Sequence, residues 1–178
     1  MQLTKGFEQA ACIMVLLTTQ RRDIPLSSRV IHQRIKGSHT YLHKIMRKLV
    51  VADLITSTAG LRGGFQLAHA PSEITLLDVV HATAGKVKTY PGFGFIEQVF
   101  QEFQPYSQDG VLLMEQAFAD ADRQWENSLA QVTLEQLLCD IFQVKQITPI
   151  DWNQVEPVKE KSFIENLKTN LHNESKSE

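Results

Sequence analysis

Apolar positions near the start of the chain recur three or four residues apart. Phe7, Ala10, Ala11, Met14 and Leu17 predict an amphipathic helix over about 6–19. The run Arg21-Arg22-Asp23-Ile24-Pro25 ends it. Ser27 is placed to cap a second, short helix reaching about Ile35. Lys36-Gly37 makes a tight turn. Ser38 then caps a third helix with Leu42, Ile45, Met46 and Leu49 on one face. Two helices joined by a short glycine-containing turn, with a first helix behind them, form a helix-turn-helix pattern.

The period then changes. Leu54-Ile55-Thr56-Ser57-Thr58 is β-prone and Phe65-Gln66-Leu67-Ala68 alternates, with Ala59-Gly60-Leu61-Arg62-Gly63-Gly64 between them. Two short strands around a glycine-rich loop predict a β-hairpin, which after a helix-turn-helix is a wing. Ile74 to Ala84 reads as a helix with Thr75 as cap and Gly85 as stop. Residues 85–108 are irregular and aromatic, with a helix expected over Phe95–Phe103. The longest helical pattern runs from Asp109 to about Val132. Its stripe is Val111, Met114, Phe118, Ala121, Trp125 and Val132, with Ser128 in the remaining slot. Gaps alternating between three and four are the seam of two helices crossing at a shallow angle, which predicts a dimerisation helix. The same stripe also fits a helix packed on its own domain. Thr133 caps a further helix to about Gln143. Beyond it the chain turns polar, with Pro149 and Trp152 marking a docked segment. Phe163, Ile164, Leu167 and Leu171 suit a last amphipathic helix, and 173–178 are expected to fray.

The predicted fold class is mainly α with a small β-hairpin: a winged helix-turn-helix domain plus a long dimerisation helix. The expected divisions are 1–84 for DNA binding, 85–108 as an aromatic linker or effector region, 109–145 for dimerisation, and 146–178 as a polar extension.

Charge sharpens this division. Residues 1–70 hold ten Lys and Arg against three Asp and Glu, a net of +7, whereas the remainder nets −9. A basic half joined to an acidic half suits a polyanion-binding domain beside one that stays off the polyanion. No apolar run is long enough to cross a membrane, and no signal-peptide pattern opens the chain. With only Cys12 and Cys139, far apart, a reducing cytoplasm is the expected setting. Both cysteines fall among apolar residues and are expected to be buried and inert.

The third helix opens Ser38-His39-Thr40-Tyr41 and continues with His43, Lys44, Arg47 and Lys48. A recognition helix presents its N-terminal residues to base edges. Ser, Thr, Tyr and His suit phosphate or base contacts, and Lys and Arg neutralise phosphates. Lys5 and the start of the second helix, Ser27, Ser28 and Arg29, complete these candidates. Arg62, flanked by glycines at the wing tip, suits the negative potential of a narrow minor groove. His39 and His43 are four apart and share a helix face, but no third ligand lies nearby in sequence, so no metal is expected. No His-Glu-x-x-His, Gly-x-Ser-x-Gly or Cys-x-x-Cys appears, and Gly60–Gly64 lacks the ending of a nucleotide loop. An enzyme is not expected.

Four segments, in order, resemble the Rrf2 family of bacterial transcription regulators. They are Met1 to Gly6, Tyr41 to Leu49, Gly63 to Ala68 and Ile74 to Val79. The resemblance covers about residues 1–85. It implies a homodimer on a pseudo-palindromic operator, with Ser38, Thr40, Tyr41 and His43 reading the major groove and Arg62 the minor groove. Many members hold an iron–sulfur cluster on three close cysteines between wing and long helix. Here 85–110 contains none, so a cluster held by that cysteine set is excluded and no cofactor is expected. The expected function is a sequence-specific regulator, a repressor, on double-stranded DNA. Its signal would be a small molecule in the aromatic segment, a protein partner, or oxidation of Cys12. The competing reading is a protein-interaction module that docks a partner through the winged domain or the tail.

Overall fold

The computed structural model describes residues 3–60 and 62–155. The first helix, α1 (Lys5–Thr19), places Ala10, Ile13, Met14 and Leu17 on one side, all buried. That spacing gives it one apolar face, which packs against the later helices. Helix α2 (Ser28–Arg34) starts where expected: the Ser27 hydroxyl accepts from Val30 N at 3.4 Å. Helix α3 (His39–Val51) buries Leu42, Ile45, Met46 and Leu49, as its periodicity requires. Ser38 occupies the cap position, but its hydroxyl makes no capping bond there.

Strands β1 (Ile55–Thr58) and β2 (Gly64–Leu67) pair antiparallel, with Ile55 opposite Leu67 and Thr58 opposite Gly64. Leu26 pairs with the other edge of β2 as an isolated antiparallel bridge, exchanging two 2.9 Å backbone hydrogen bonds with Phe65. This contact is why Gly64 must be glycine: a Cβ there would collide with the Leu26 carbonyl. Leu54 N donates to Leu49 O at 3.0 Å, so the hairpin grows directly from the end of α3.

Helix α4 (Leu76–Ala84) opens on a full capping box. Asp78 N donates to Thr75 Oγ1 at 3.2 Å, and Thr75 N donates to Asp78 Oδ2 at 2.7 Å. The expected start at Ile74 therefore moves to Leu76. The expected helix over 95–103 divides into α5 (Phe95–Val99) and a 3-10 turn at Gln101–Phe103. The long helix, α6, runs Tyr106–Ala130, and α7 spans Leu134–Phe142, capped by Thr133 at 3.1 Å from Gln136 N. Leu76 N donates to Val132 O and Leu134 N to Ile74 O, each at 2.9 Å, so α4 and α7 start side by side.

One core joins these parts. Leu134 of α7 is buried in the same cluster as Ile13, Ile31, Leu42, Leu49 and Val79. The segment after α7 returns across α1 and α2 as a strap. Ile150 pairs with Gln20, Trp152 Nε1 donates to Thr19 Oγ1 at 2.8 Å, and Asn153 Oδ1 accepts from Ser27 N at 3.0 Å. The expected docking of Trp152 is thus found. The helix expected around Phe163, Ile164, Leu167 and Leu171, and the end at 173–178, lie outside the described residues.

Cys12 corrects an expectation, because it is exposed. Two residues beyond Ala10 on a 3.6-residue period, it points away from the buried stripe. Cys139 is half-buried, not sealed in the core. Desolvation and the Glu8 carboxylate push the Cys12 thiol up, which is the opposite of activation. No helix among the described residues is long and apolar enough to cross a membrane.

Candidate nucleic-acid interface

The outer face of α3 is set by its buried one. With Leu42, Ile45, Met46 and Leu49 turned inward, His39, Thr40, Tyr41, His43, Lys44, Arg47 and Lys48 are all left exposed. The helix contains no acidic residue, so this face is a cationic and hydrogen-bonding ridge. Lys48 and Tyr41 are among its members that make contacts within the chain. Lys48 Nζ donates to Thr83 O at 2.5 Å, tying α3 to α4. The Tyr41 hydroxyl lies over the start of α1, where a Cβ on Gly6 would stand 2.7 Å from it. Lys44 and Arg47 border an open groove with Val51, His81 and Ala82.

The other predicted contacts sit around this ridge. Lys5 is the first residue of α1 and is exposed. Arg29 is exposed and Ser28 half-buried in the first turn of α2. Ser27 is committed elsewhere, its hydroxyl to Val30 N and its N–H to Asn153. Ser38 is exposed just before α3. Arg62 is exposed in the loop between β1 and β2, where Gly63 N donates to Gly60 O at 3.0 Å and closes the turn.

Sequence patterns alone did not single out His32. From α2 its ring stacks on His39, with centroids 4.1 Å apart, and its Nε2 lies 3.4 Å from His43 Nε2. Burial, together with His39 and His43, holds His32 below the usual imidazole range. The available signal was three histidines within twelve residues, divided by the turn at Gly37.

The long-helix stripe is shared between two surroundings. Val111 borders a cleft with Tyr90, Ile96, Glu97 and Glu115, and Phe118 stacks on Tyr90 with centroids 5.0 Å apart. Farther along the same face, Asp122 Oδ2 accepts from Thr89 N at 2.9 Å and Glu126 Oε1 meets His81 Nε2 at 2.9 Å. These bonds hold both carboxyls below their usual range, Thr89 acting on Asp122 and His81 on Glu126. Met114 and Ala121 are exposed, as are Leu112 at 61% and Leu113 at 67%, so much of the apolar surface of α6 is left uncovered by the described residues. Trp125 is half-buried. Val132 lies past the end of α6.

The donors present do not fit an iron–sulfur cluster held by three cysteines. The chain has two cysteines, on α1 and α7, and among the described residues no group of three or more His, Cys, Asp or Glu gathers as a metal set.

The family pattern described as Rrf2, iron-dependent transcriptional regulator, matches residues 3–140. YwgB of Bacillus subtilis strain 168, which carries the description of an HTH-type transcriptional regulator, is 31% identical over 159 residues. That match spans 89% of this chain and 98% of YwgB. Protein rrf2 of Nitratidesulfovibrio vulgaris is 38% identical over 82 residues, 46% of this chain and 55% of that protein. The fold is similar to that of CymR (YrzC), the global cysteine regulator of B. subtilis, with TM-score 0.54 at 22% identity over 77% of this chain and 95% of CymR. It is likewise similar to T. potens IscR, with TM-score 0.54 at 22% identity over 79% of this chain and 88% of IscR. The cationic ridge of α3, the hairpin after it and the match along 3–140 agree: this chain belongs to the Rrf2 family of DNA-binding transcriptional regulators.

Proposed function

We propose that the protein is a homodimeric repressor, acting in the cytoplasm, that grips a pseudo-palindromic operator with α3 in the major groove and Arg62 in the minor groove. The observation that carries this reading is the exposed, acid-free outer face of α3 opposite its buried stripe. His39, Thr40, Tyr41 and His43 occupy the first turns, where a recognition helix meets base edges. Lys44 and Arg47 come next, toward the phosphates. Lys5, Ser28, Arg29 and Ser38 flank them, while Ser27 and Lys48 serve mainly to hold the domain together. Dimerisation uses the exposed apolar surface of α6 around Met114, Ala121 and the outer side of Phe118. Residues 1–84 then act as the DNA-binding unit and α6 as the joint between two copies.

The test is selection of bound fragments from genomic DNA, then anisotropy titration of the enriched fragment at several salt concentrations. A specific fragment whose affinity falls steeply with salt supports the reading, because released counterions set that slope. No enrichment over bulk DNA would end it.

A further inference from the structure

We propose that the cleft between α5, the loop before it and α6 binds a compact organic cation, an ammonium group on an apolar or aromatic body. The cleft spans about 190 Å³, less than the roughly 300 Å³ of the smallest drug-sized pockets. Tyr90 brings an aromatic ring to it, Ile96 and Val111 bring apolar surface, and Glu97 and Glu115 bring two carboxylates. No Lys, Arg or His lines it. Glu97 and Glu115 are half-buried, and neither carboxylate has an ion-pair or hydrogen-bond partner among the described residues. Other half-buried acids of α6 are satisfied: Asp120 pairs with Arg123, Asp122 accepts from Thr89, and Glu126 meets His81 and Val87 N. The two at the cleft are therefore like charges, partly removed from water, that face one space. Burying unpaired charge is costly, and one cation in the cleft offsets that cost for both.

The aromatic ring and the backbone around it make this more than an acidic patch. Tyr90 is fixed by stacking on Phe118, with centroids 5.0 Å apart and ring planes 16° apart. A cation beside such a ring is attracted by its quadrupole, more strongly where water is displaced. Gly92 has φ +69°, and a Cβ there would stand 3.4 Å from Glu115 Oε1. Bare backbone thus closes the wall beside Glu115, and no side chain fills the space. Ser107 lies four residues before Val111 and eight before Glu115, on the same face of α6. It is 4% exposed, and its buried hydroxyl makes no hydrogen bond with the described residues. The cleft's side of α6 therefore holds a further unmet polar group, one that an ammonium N–H can satisfy.

An inorganic divalent ion suits the cleft less well. It would give up water to apolar walls, and no third carboxylate, Cys or His joins the pair among the described residues. The apolar walls and the ring instead match the carbon body of an organic amine.

Calorimetric titration of the full chain with benzylamine, which is charged at neutral pH, tests the site without DNA. Benzyl alcohol and benzoate serve as the neutral and anionic comparisons. The expected result is one benzylamine per protomer, with both comparisons at least about tenfold weaker. E97Q and E115Q, on different helices, should each weaken benzylamine binding about tenfold. D120N removes a carboxylate of α6 that pairs with Arg123 at 3.0 Å outside the cleft. It should leave the affinity unchanged, which separates the site from the general negative charge of this half of the chain. Both glutamates are only half-buried, so the fold should tolerate glutamine at either, and circular dichroism checks each variant. No benzylamine uptake by the wild type, equal uptake of benzyl alcohol, or affinity that survives in both E97Q and E115Q overturns the proposal. Because the titration contains no DNA, a failed operator selection would refute the repressor reading and leave this outcome to stand by itself.

Discussion

Replacing Trp152 with alanine measures how firmly the strap is held. The ring is half-buried against the core cluster and lies beneath the Arg34 guanidinium, 4.2 Å from its centroid. Complete loss of a core aromatic costs about 3–5 kcal/mol, so half-burial sets the packing share near about 2 kcal/mol. The Nε1–H donates to Thr19 Oγ1 at 2.8 Å, adding about 1 kcal/mol. Together the expected destabilisation is about 3 kcal/mol. Trp152→Phe separates the two parts. It keeps an aromatic ring, and the Thr19 hydroxyl retains its own acceptor, Val15 O at 2.9 Å. The expected cost of that variant is therefore about 1 kcal/mol. Urea unfolding of the full chain, monitored by far-ultraviolet circular dichroism at one fixed protomer concentration, gives both values. Fluorescence is less suitable because Trp125 also reports. An alanine variant within about 0.5 kcal/mol of wild type would show that the strap rests on the domain without supporting it.

Four further outcomes are expected. Arg62→Ala weakens binding to the selected fragment by about 1–3 kcal/mol in anisotropy titrations, whereas unchanged affinity removes the wing from DNA recognition. Met114→Glu gives monomers by sedimentation velocity, and a persisting dimer refutes the assignment of the joint to α6. Thr75→Ala breaks the capping box of α4 and lowers stability by about 1 kcal/mol in the same urea assay; no change would mean that Asp78 alone suffices. Finally, the fold weakens as pH drops below about 6.5, the ordinary imidazole value. His32 resists protonation in the folded chain because of burial and because His39 and His43 face it from α3. The unfolded chain therefore takes the proton first, and stability present above that pH is lost on descending through it. H32Q should flatten this dependence, and an unchanged profile would assign it to another group.

The winged domain was legible in the sequence because its helices carry complete apolar stripes on a 3.6-residue period and its hairpin switches to alternation. Leu42, Ile45, Met46 and Leu49 fix both the buried and the exposed face of α3 at once. What periodicity missed is polar or distant. The strap depends on contacts such as Ser27 with Asn153, 126 positions apart, and no local pattern encodes such a pair. The inner face of α6 is held partly by Asp122 and Glu126 accepting from backbone N–H groups at Thr89 and Val87, which apolar stripes cannot reveal. Those contacts divide the predicted seam: Phe118 meets Tyr90 of its own chain, whereas Met114 stays exposed. Cys12 was misread for a related reason: apolar neighbours in sequence are not neighbours on a helix face.

The adjoining starts of α4 and α7 act as a mechanical coupling. Their two reciprocal backbone bonds, Leu76 to Val132 and Leu134 to Ile74, join the end of α6 to the beginning of α4. At its other end α4 grips α3 through Thr83 and Lys48. A displacement of the far end of α6 that preserves these bonds must carry α4 with it, and α4 in turn pulls on α3, the helix proposed to face DNA. In the proposed dimer, the joint between two copies and the pitch of the two proposed DNA-facing helices thus form one linkage, so an event that shifts one is expected to reset the other.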